Sequence, residues 1–206
     1  MKKLALCIFL IFGTLHGSSA LAQGKKSEFT VGGGLSLLLT PDSVKDFYNT
    51  GFQGVAGFGF KIMSHLLVGG SLSYNNFGLD KTALLESVGT PSGSNIDIVG
   101  GTINLVEILA VVKYYFLSNE KSPNIYLLGG PGLSWGRISQ VTVLIPNQKP
   151  FTQNSETDTN FTLAGGLGVR FRVGANTNLF IEGRYSALIS GGEDLTYVPL
   201  KIGVIF

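Results

Sequence analysis

Ionic side chains recur at alternate positions in segments otherwise rich in apolar residues and glycine, and they are the groups of this chain best suited to chemistry. The candidates are Glu107, Lys113, Arg170, Arg172, Glu182, Arg184 and Lys201. Successive side chains of a β-strand point to opposite faces, so this spacing predicts one ionic face shared by several strands. If that face is enclosed, its charges must pair, because an unpaired buried charge is costly. We expect Glu182 to contact Arg170 or Lys201.

An enclosed charge network has two interpretations. It could form a gate or a narrow ion path, or it could be a plug-like structural network that fills a core, and we favour the structural interpretation. Glu107 and Lys113 lie six residues apart on the same predicted face. That spacing is about 20 Å along a strand, which is too far for direct contact. Their partners must therefore come from other strands.

Cysteine and histidine, which carry most nucleophilic and general-base chemistry, are scarce. The chain has one cysteine, Cys7, and two histidines, His16 and His65. Cys7 and His16 lie in an N-terminal segment with the pattern of an export signal, and His65 lies in a short turn predicted over 63–65. A catalytic histidine needs a hydroxyl or an acid beside it, and a turn histidine is usually a solvated polar residue. We expect no catalytic residue.

Metal and phosphate sites are equally poorly supported. The loop acids Glu156 and Asp158, like Glu193 and Asp194, lack the spaced oxygen ligands of a calcium loop. Glycine clusters such as 32–34 do not open a helix, which a phosphate-binding loop would need to do. We therefore expect no metal and no cofactor.

The N-terminus has the three parts of a secretory signal. Lys2 and Lys3 precede an apolar run over 4–12, and a small-residue site ends at Ala22. The run is shorter than the roughly 20 residues of a spanning helix, so we predict a signal peptide over 1–22 and a mature domain over 23–206. Removing two of the 15 basic residues leaves 13, which equals the number of acidic residues. This balance gives no case for nucleic-acid binding.

Period-two alternation fills the rest of the chain. One example sets Phe52, Gly54, Ala56, Phe58, Phe60 and Ile62 against Gly51, Gln53, Val55, Gly57, Gly59 and Lys61. A helix would scatter both sets, whereas a strand separates them. We find eight such runs, at 28–39, 51–62, 66–77, 102–117, 124–137, 159–173, 178–189 and 195–206. Eight is the smallest usual number of strands in a membrane barrel.

The connections between these runs alternate in length. The long ones are 40–50, 78–101 and 138–158, with 190–194 a short exception; the short turns are 63–65, 118–123 and 174–177. In bacterial outer-membrane barrels the long loops face the cell exterior and the short turns face the periplasm. The pattern predicts one all-β domain, an eight-stranded antiparallel up-and-down transmembrane barrel. Pro131 and Pro199 interrupt predicted strands and are expected at bulges or rim positions.

Alternation alone fits a soluble lipocalin-like barrel as well, so the polarity of the two faces must decide. The predicted apolar face carries no acidic or basic residue, as contact with lipid requires. Its large aromatic residues lie toward the strand ends: Phe60, Tyr114, Phe116 and Phe206 at one rim, and Phe52, Tyr74, Trp135 and Phe161 near the other. Such girdles are typical of membrane interfaces, so we expect the ionic face inside.

Particular segments carry a family resemblance. The chain ends in LKIGVIF, and the segments 106–116 and 126–132 read VEILAVVKYYF and YLLGGPG. These resemble the PorT-like outer-membrane β-barrel family, and members of this size resemble the transmembrane part of OmpA and OmpX. The resemblance implies an outer-membrane location, contact with outer-membrane lipid, and recognition of Ile202, Val204 and Phe206 by the barrel assembly machinery. It covers most of residues 28–206.

The two long loops are the predicted functional surface, because binding residues usually lie on loops held by a rigid scaffold. We expect any extracellular partner to bind through 78–101 and 138–158. Within the second loop, the apolar stretch 141–145 could extend a strand above the membrane or form a binding patch. The predicted function is that of a monomeric, non-enzymatic protein with a structural or surface-adhesion role. The alternatives are a narrow pore or small-solute transporter and, less favoured, a lipid-modifying barrel enzyme.

Overall fold

A computed structural model describes residues 27–87, 89, 96–117, 123–146, 149–191 and 193–206. Their elements, in chain order, are β1 (Ser27–Thr40), α1 (Asp42–Lys45), β2 (Gly51–Lys61), β3 (Leu66–Phe77), α2 (Lys81–Ser87), β4 (Asp97–Gly100), β5 (Ile103–Tyr115), β6 (Asn124–Ile138), β7 (Val141–Leu144), β8 (Phe151–Gln153), β9 (Glu156–Arg172), β10 (Asn178–Ile189) and β11 (Leu195–Ile205). Among these residues, neither helix is long and apolar enough to cross a membrane. The predicted signal peptide, 1–22, lies outside the described residues and stays a prediction.

Eight strands close into a barrel in the order β1-β11-β10-β9-β6-β5-β3-β2. Each neighbouring pair is antiparallel, and closure joins the first strand to the last, with Thr30 opposite Ile205. Closure leaves none of the eight barrel strands with an unpaired edge, which is the condition for placing a sheet in hydrocarbon. The predicted eight-stranded antiparallel up-and-down barrel is therefore confirmed.

The outer surface of the barrel is apolar and the inner surface is polar. Leu167 is 59% exposed, whereas Glu182, on the neighbouring strand β10, is 2% exposed. Aromatic rings pair on the outer surface near both rims. Phe58 and Phe60 lie 4.6 Å apart between ring centroids at one rim, and Phe52 and Tyr74 lie 6.5 Å apart near the other. Exposure of large apolar side chains on this scale suits a surface that meets lipid.

The two prolines within barrel strands correct the expectation of bulges or rim positions. Pro131 lies within β6 and Pro199 within β11, and the strand pairing keeps one register on both sides of each. A proline lacks one backbone N–H, so it removes a single hydrogen bond toward one neighbouring strand. Each keeps its partner in the strand on the other side, Leu163 for Pro131 and Ser36 for Pro199. The loss of a backbone hydrogen bond at each proline is therefore local, and no bulge is needed.

A separate sheet of three strands, in the order β4-β7-β8, lies outside the barrel. It joins the two long loops, because Val99 of one pairs with Thr142 of the other. The apolar stretch 141–145 was expected to extend a strand or to form a patch. Residues Val141–Leu144 instead form the central strand of this sheet, since they find partners in both long loops.

The start of the long strand β9 also differs from expectation. The alternation predicted a strand over 159–173, whereas β9 begins at Glu156, which pairs with Ile138 of β6. The three added residues carry two acids, which interrupt the apolar pattern used to find the strand. Backbone pairing above the membrane does not need apolar side chains, so the strand continues beyond the alternation.

Two consecutive glycines connect the outer sheet to β5. Gly100 has a φ of 91° and Gly101 a φ of 80°. This left-handed backbone is accessible to glycine and strained for other residues. A Cβ atom on Gly100 would also overlap the carbonyl oxygen of Gln140. The connection between the sheet and the barrel therefore depends on glycine at this position.

Candidate functional site

Each of three carboxylates inside the barrel accepts a hydrogen bond from one buried tyrosine. The pairs are Tyr115 with Glu28, Tyr126 with Glu182 and Tyr197 with Glu107, and each oxygen–oxygen distance is 2.9 Å. The strands supply these groups at inward-facing positions, one residue in two. A hydrogen bond to a charged group contributes about 1.5–3 kcal/mol, roughly twice a neutral one. The three phenols thus offset part of the cost of burying three negative charges.

Glu182 is the centre of a cluster at mid-barrel. Lys201 Nζ lies 2.7 Å from Glu182 Oε1, Arg184 Nη2 lies 3.2 Å from the same oxygen, and Lys113 Nζ lies 3.8 Å from Oε2. The guanidinium of Arg184 also approaches a second carboxylate, with Nη1 3.6 Å from Glu107 Oε1. The cluster therefore joins β5, β10 and β11 through side chains.

A second cluster lies toward the periplasmic rim around Glu28. Its carboxylate is 3.0 Å from Arg170 Nη1 and 3.2 Å from Lys61 Nζ, both measured to Oε1. The Arg170 guanidinium also stacks over the ring of Tyr115, 4.6 Å from the centroid. Cation–π contacts of desolvated groups contribute about 2 kcal/mol. Glu28 thereby fixes the start of β1 to the opposite wall of the barrel.

The structure buries six of the seven charged residues singled out in the sequence. Five form the mid-barrel cluster: Glu107, Lys113, Glu182, Arg184 and Lys201. Arg170 is buried with Glu28 instead. Arg172 is the correction, because it is exposed and donates hydrogen bonds to the carbonyl oxygens of Gly174 and Ala175. Arg172 lies two residues after Arg170 and therefore on the same face of β9, but it is at the end of the strand, beyond the enclosed space.

Glu28, Lys61 and the three tyrosines belong to the network although the sequence analysis did not single them out. Period-two alternation was sufficient to place Glu28 on the inner face, because Glu28 lies an even number of residues from the buried Ser36 on the same strand, β1. The tyrosines are harder to assign, since a tyrosine suits both the lipid interface and an enclosed polar site. Tyr114 faces outward and Tyr115 inward, and only their alternate positions along the strand distinguish the two.

A small cavity lies on the inner wall beside the network. Its volume is about 30 Å³, and its walls include Ser71, Lys113, Glu182, Arg184 and Lys201. Beyond the network, toward the outer end, an apolar layer crosses the barrel: Phe77, Ile103, Leu105, Leu188 and Tyr197. The described interior is therefore filled by paired charges and then by apolar side chains, as expected for a barrel of eight strands.

A larger cavity opens above this apolar layer, at the end of the barrel that carries the long loops. Its volume is about 530 Å³, and we call it the outer vestibule. Ile103, Leu105 and Leu188 of the apolar layer contribute to its lining and form its floor. Its walls carry four ionic side chains: Arg137, Glu156, Asp158 and Glu193. The shape is a polar-walled pocket with an apolar base.

The vestibule is part of a strongly acidic outer end. The segments 41–50, 78–101, 137–158 and 190–194 contain nine acidic and four basic residues, a formal charge of −5. The first of these loops packs on the apolar layer through Val44 and Tyr48. Burial raises the pKa of Tyr48 above its ordinary value of 10.0. A hydrogen bond and charge attraction from Asp42 raise the pKa of Lys45 on the same loop.

His65 does not approach any ionic cluster. It lies in the turn between β2 and β3, and its Nδ1 is 3.0 Å from the carbonyl oxygen of Tyr115. Within the described ranges there is no group of three or more His, Cys, Asp or Glu side chains placed to hold a metal ion.

A closed eight-stranded barrel with an apolar outer surface and an ionic interior defines a class, the small β-barrels of bacterial outer membranes. The chain belongs to the outer membrane protein beta-barrel domain family, whose sequence model matches residues 6–205. The protein is therefore an outer-membrane protein, and the predicted OmpA-like and OmpX-like barrel is confirmed. The narrower PorT-like assignment stays a prediction.

Solved structures share this fold at low sequence identity. Neisserial surface protein A (NspA) is 18% identical, with a TM-score of 0.52 over 87% of this chain and 96% of that one. Ail of Yersinia pestis, solved in complex with the heparin analogue sucrose octasulfate, is 14% identical, with a TM-score of 0.53 over 88% and 99%. A major outer membrane protein from Thermus thermophilus is 12% identical, with a TM-score of 0.50 over 87% and 98%. No curated protein matches the chain.

Proposed function

We propose that this protein is a non-enzymatic surface protein that binds an extracellular partner at its outer end and uses the barrel as a membrane anchor. The observation that carries the proposal is the outer vestibule, which combines an apolar floor with ionic walls and opens at the outer end of the barrel, where Val44, Glu156 and Glu193 contribute to its lining. Ligand pockets typically have this composition, with apolar lining and a few polar groups that fix orientation.

The charge of the outer end favours a positively charged partner. Three of the four ionic side chains of the vestibule are acidic, and the surrounding segments carry a formal charge of −5. Ail is similar in fold, and its structure contains a polyanion. Electrostatic complementarity steers association and excludes like-charged partners, so a polyanion is disfavoured at this outer end. A basic peptide or protein segment fits it better.

The filled interior supports an anchor rather than a pore. Each charged side chain of the two clusters lies within 4 Å of an opposite charge, and Phe77 and Tyr197 of the apolar layer are fully buried. We expect the purified protein to give no stable openings in a planar bilayer. Stable unitary currents that disappear on Glu182→Gln substitution would overturn the anchor and favour the pore.

Binding can be tested with a labelled decalysine peptide and phosphatidylcholine vesicles that contain the full protein. We expect the peptide to bind, and the triple variant Glu156→Gln, Asp158→Asn, Glu193→Gln to weaken binding about tenfold or more. Three surface ion pairs at about 0.5–1 kcal/mol each account for this change.

The matched control removes three acids of the outer end that do not line the vestibule: Asp46→Asn, Glu86→Gln and Asp97→Asn. This variant has the same net charge as the triple vestibule variant and should keep most of the affinity. Equal losses in both variants would show that the vestibule is not the site. Preferential binding of sucrose octasulfate would refute a cationic partner.

We also propose that the protein is monomeric and that the barrel assembly machinery recognises the last strand. Ile202 and Phe206 are 58% and 52% exposed on the lipid-facing side. The backbone of Phe206 is hydrogen-bonded in both directions to Phe29, so the terminal residue closes the barrel. Replacing Phe206 with alanine should reduce assembly in cells much more than refolding in detergent. Equal effects in the two assays would argue against recognition.

A further inference from the structure

The cluster at mid-barrel carries more positive than negative charge. Two acids, Glu107 and Glu182, lie with three bases, Lys113, Arg184 and Lys201, and each side chain is at most 10% exposed. The formal charge of this cluster is therefore +1. The nearby Glu28 is already paired with two bases, Arg170 and Lys61, and therefore does not offset this charge. A net charge enclosed within hydrocarbon depth is costly unless a counter-charge lies close to it.

The donors of this cluster also outnumber its acceptors. Glu182 already accepts hydrogen bonds from Lys201, Arg184 and Tyr126, and Lys113 Nζ remains 3.8 Å away, beyond hydrogen-bond distance. Arg184 is 4% exposed, and its Nε has no hydrogen-bond partner among the described residues. The buried Oγ of Ser71 likewise has no partner within the described part of the chain.

These three donor side chains line one cavity. Ser71, Lys113 and Arg184 all contribute to the walls of the cavity of about 30 Å³, together with Lys201. Two acids, Glu28 and Glu182, also line it, and each is already paired with a base. A space of this size holds about two water molecules. It accommodates a halide ion and is too small for a sugar acid.

We propose that this cavity binds one monovalent anion of the size of chloride. Lys113, Arg184 and Ser71 supply the donors, and the single negative charge brings the cluster to neutrality. The site is independent of the outer vestibule, because the apolar layer separates the two.

The direct test is a crystal structure of the full mature protein grown in sodium bromide, with data collected at the bromine absorption edge. We expect an anomalous peak in the cavity within hydrogen-bond distance of Lys113 Nζ or Arg184 Nε. A map with no anomalous peak there, or with water alone, would overturn the proposal.

A solution test compares unfolding in sodium chloride and in sodium gluconate at equal ionic strength. At a chloride concentration about ten times the Kd, the ratio of folded to unfolded protein should be about tenfold higher than in gluconate. Lys113→Met should abolish this difference, because two acids and two bases then balance.

Lys61→Met is the matched control for the solution test. Lys61 pairs with Glu28 near the rim, its side chain is 22% exposed, and it is not part of the cavity wall. This variant should keep the dependence on chloride. Loss of the dependence in Lys61→Met, or no dependence in the unmodified protein, would refute the site. If Lys113→Met does not fold, the bromide structure of the unmodified protein still decides.

Discussion

Replacing Glu182 with glutamine should destabilise the barrel severely although it changes very little volume. The carboxylate is 2% exposed and contacts Lys201 at 2.7 Å, Arg184 at 3.2 Å and Tyr126 at 2.9 Å. Glutamine keeps an acceptor oxygen but removes the charge, so Glu107 alone would face three buried bases. Removing one partner of a buried ion pair costs about 3–5 kcal/mol, because the other charge stays buried without compensation.

The assay is equilibrium unfolding in urea with the barrel in detergent micelles, followed by the gel-mobility difference between heated and unheated protein. With a slope of about 2 kcal/mol per molar urea, the expected loss shifts the midpoint down by about 2 M. The double variant Glu182→Gln, Lys201→Met should recover part of the loss, because it removes the base closest to Glu182 along with the acid. Glu86→Gln, in the exposed helix α2, is the control and should change stability by less than about 0.5 kcal/mol. A loss below about 1 kcal/mol for Glu182→Gln would refute the view that this cluster holds the barrel together.

Three further predictions test other features. Arg170→Ala should lower the free energy of unfolding in urea by about 3 kcal/mol, because it leaves Glu28 poorly compensated. Arg172→Ala should lower it by less than about 0.5 kcal/mol, and equal losses would contradict the rim position of Arg172. Gly100→Val should make the outer sheet sensitive to protease while the gel mobility of the barrel stays unchanged, since a positive φ and the Gln140 carbonyl both exclude a side chain. Because the folded-state pKa of Tyr48 is raised, the contribution of its neutral phenol to packing of the loop 40–50 is complete below pH of about 10 and decreases as the pH rises through the folded pKa. Limited proteolysis across this range should show the loss, Tyr48→Phe should remove it, and an unchanged pH profile in that variant would refute the assignment.

Much of this fold follows from side-chain periodicity. A strand has a period of two, so the sequence of β10 alone places Glu182 and Arg184 on the face opposite Ile181. The face without charged residues is then assigned to the lipid and the charged face to the barrel interior. The same alternation along β1 was sufficient to place Glu28 on the inner face, although Glu28 was not among the predicted interior charges.

Contacts across the barrel depend on the stagger between strands, which parity does not determine. Arg170 and Lys201 were equally plausible partners of Glu182, and only the register shows that Lys201 lies directly opposite it on β11. Arg172 illustrates the same limit, since its distance from the end of the strand decides its exposure. The outer sheet was missed for another reason. Its strands have only 4, 4 and 3 residues, which is too few for an alternating pattern to be recognised.

The position of Trp135 has a practical consequence for following the assembly of this protein. It is the only tryptophan of the chain, and it lies on β6 with 38% of its surface exposed, on the lipid-facing side near the outer rim. Its fluorescence therefore reports on a single location. A shift of its emission to shorter wavelength records the moment at which the far end of β6 reaches the opposite leaflet. Insertion kinetics can thus be measured on the natural polypeptide without attaching a dye.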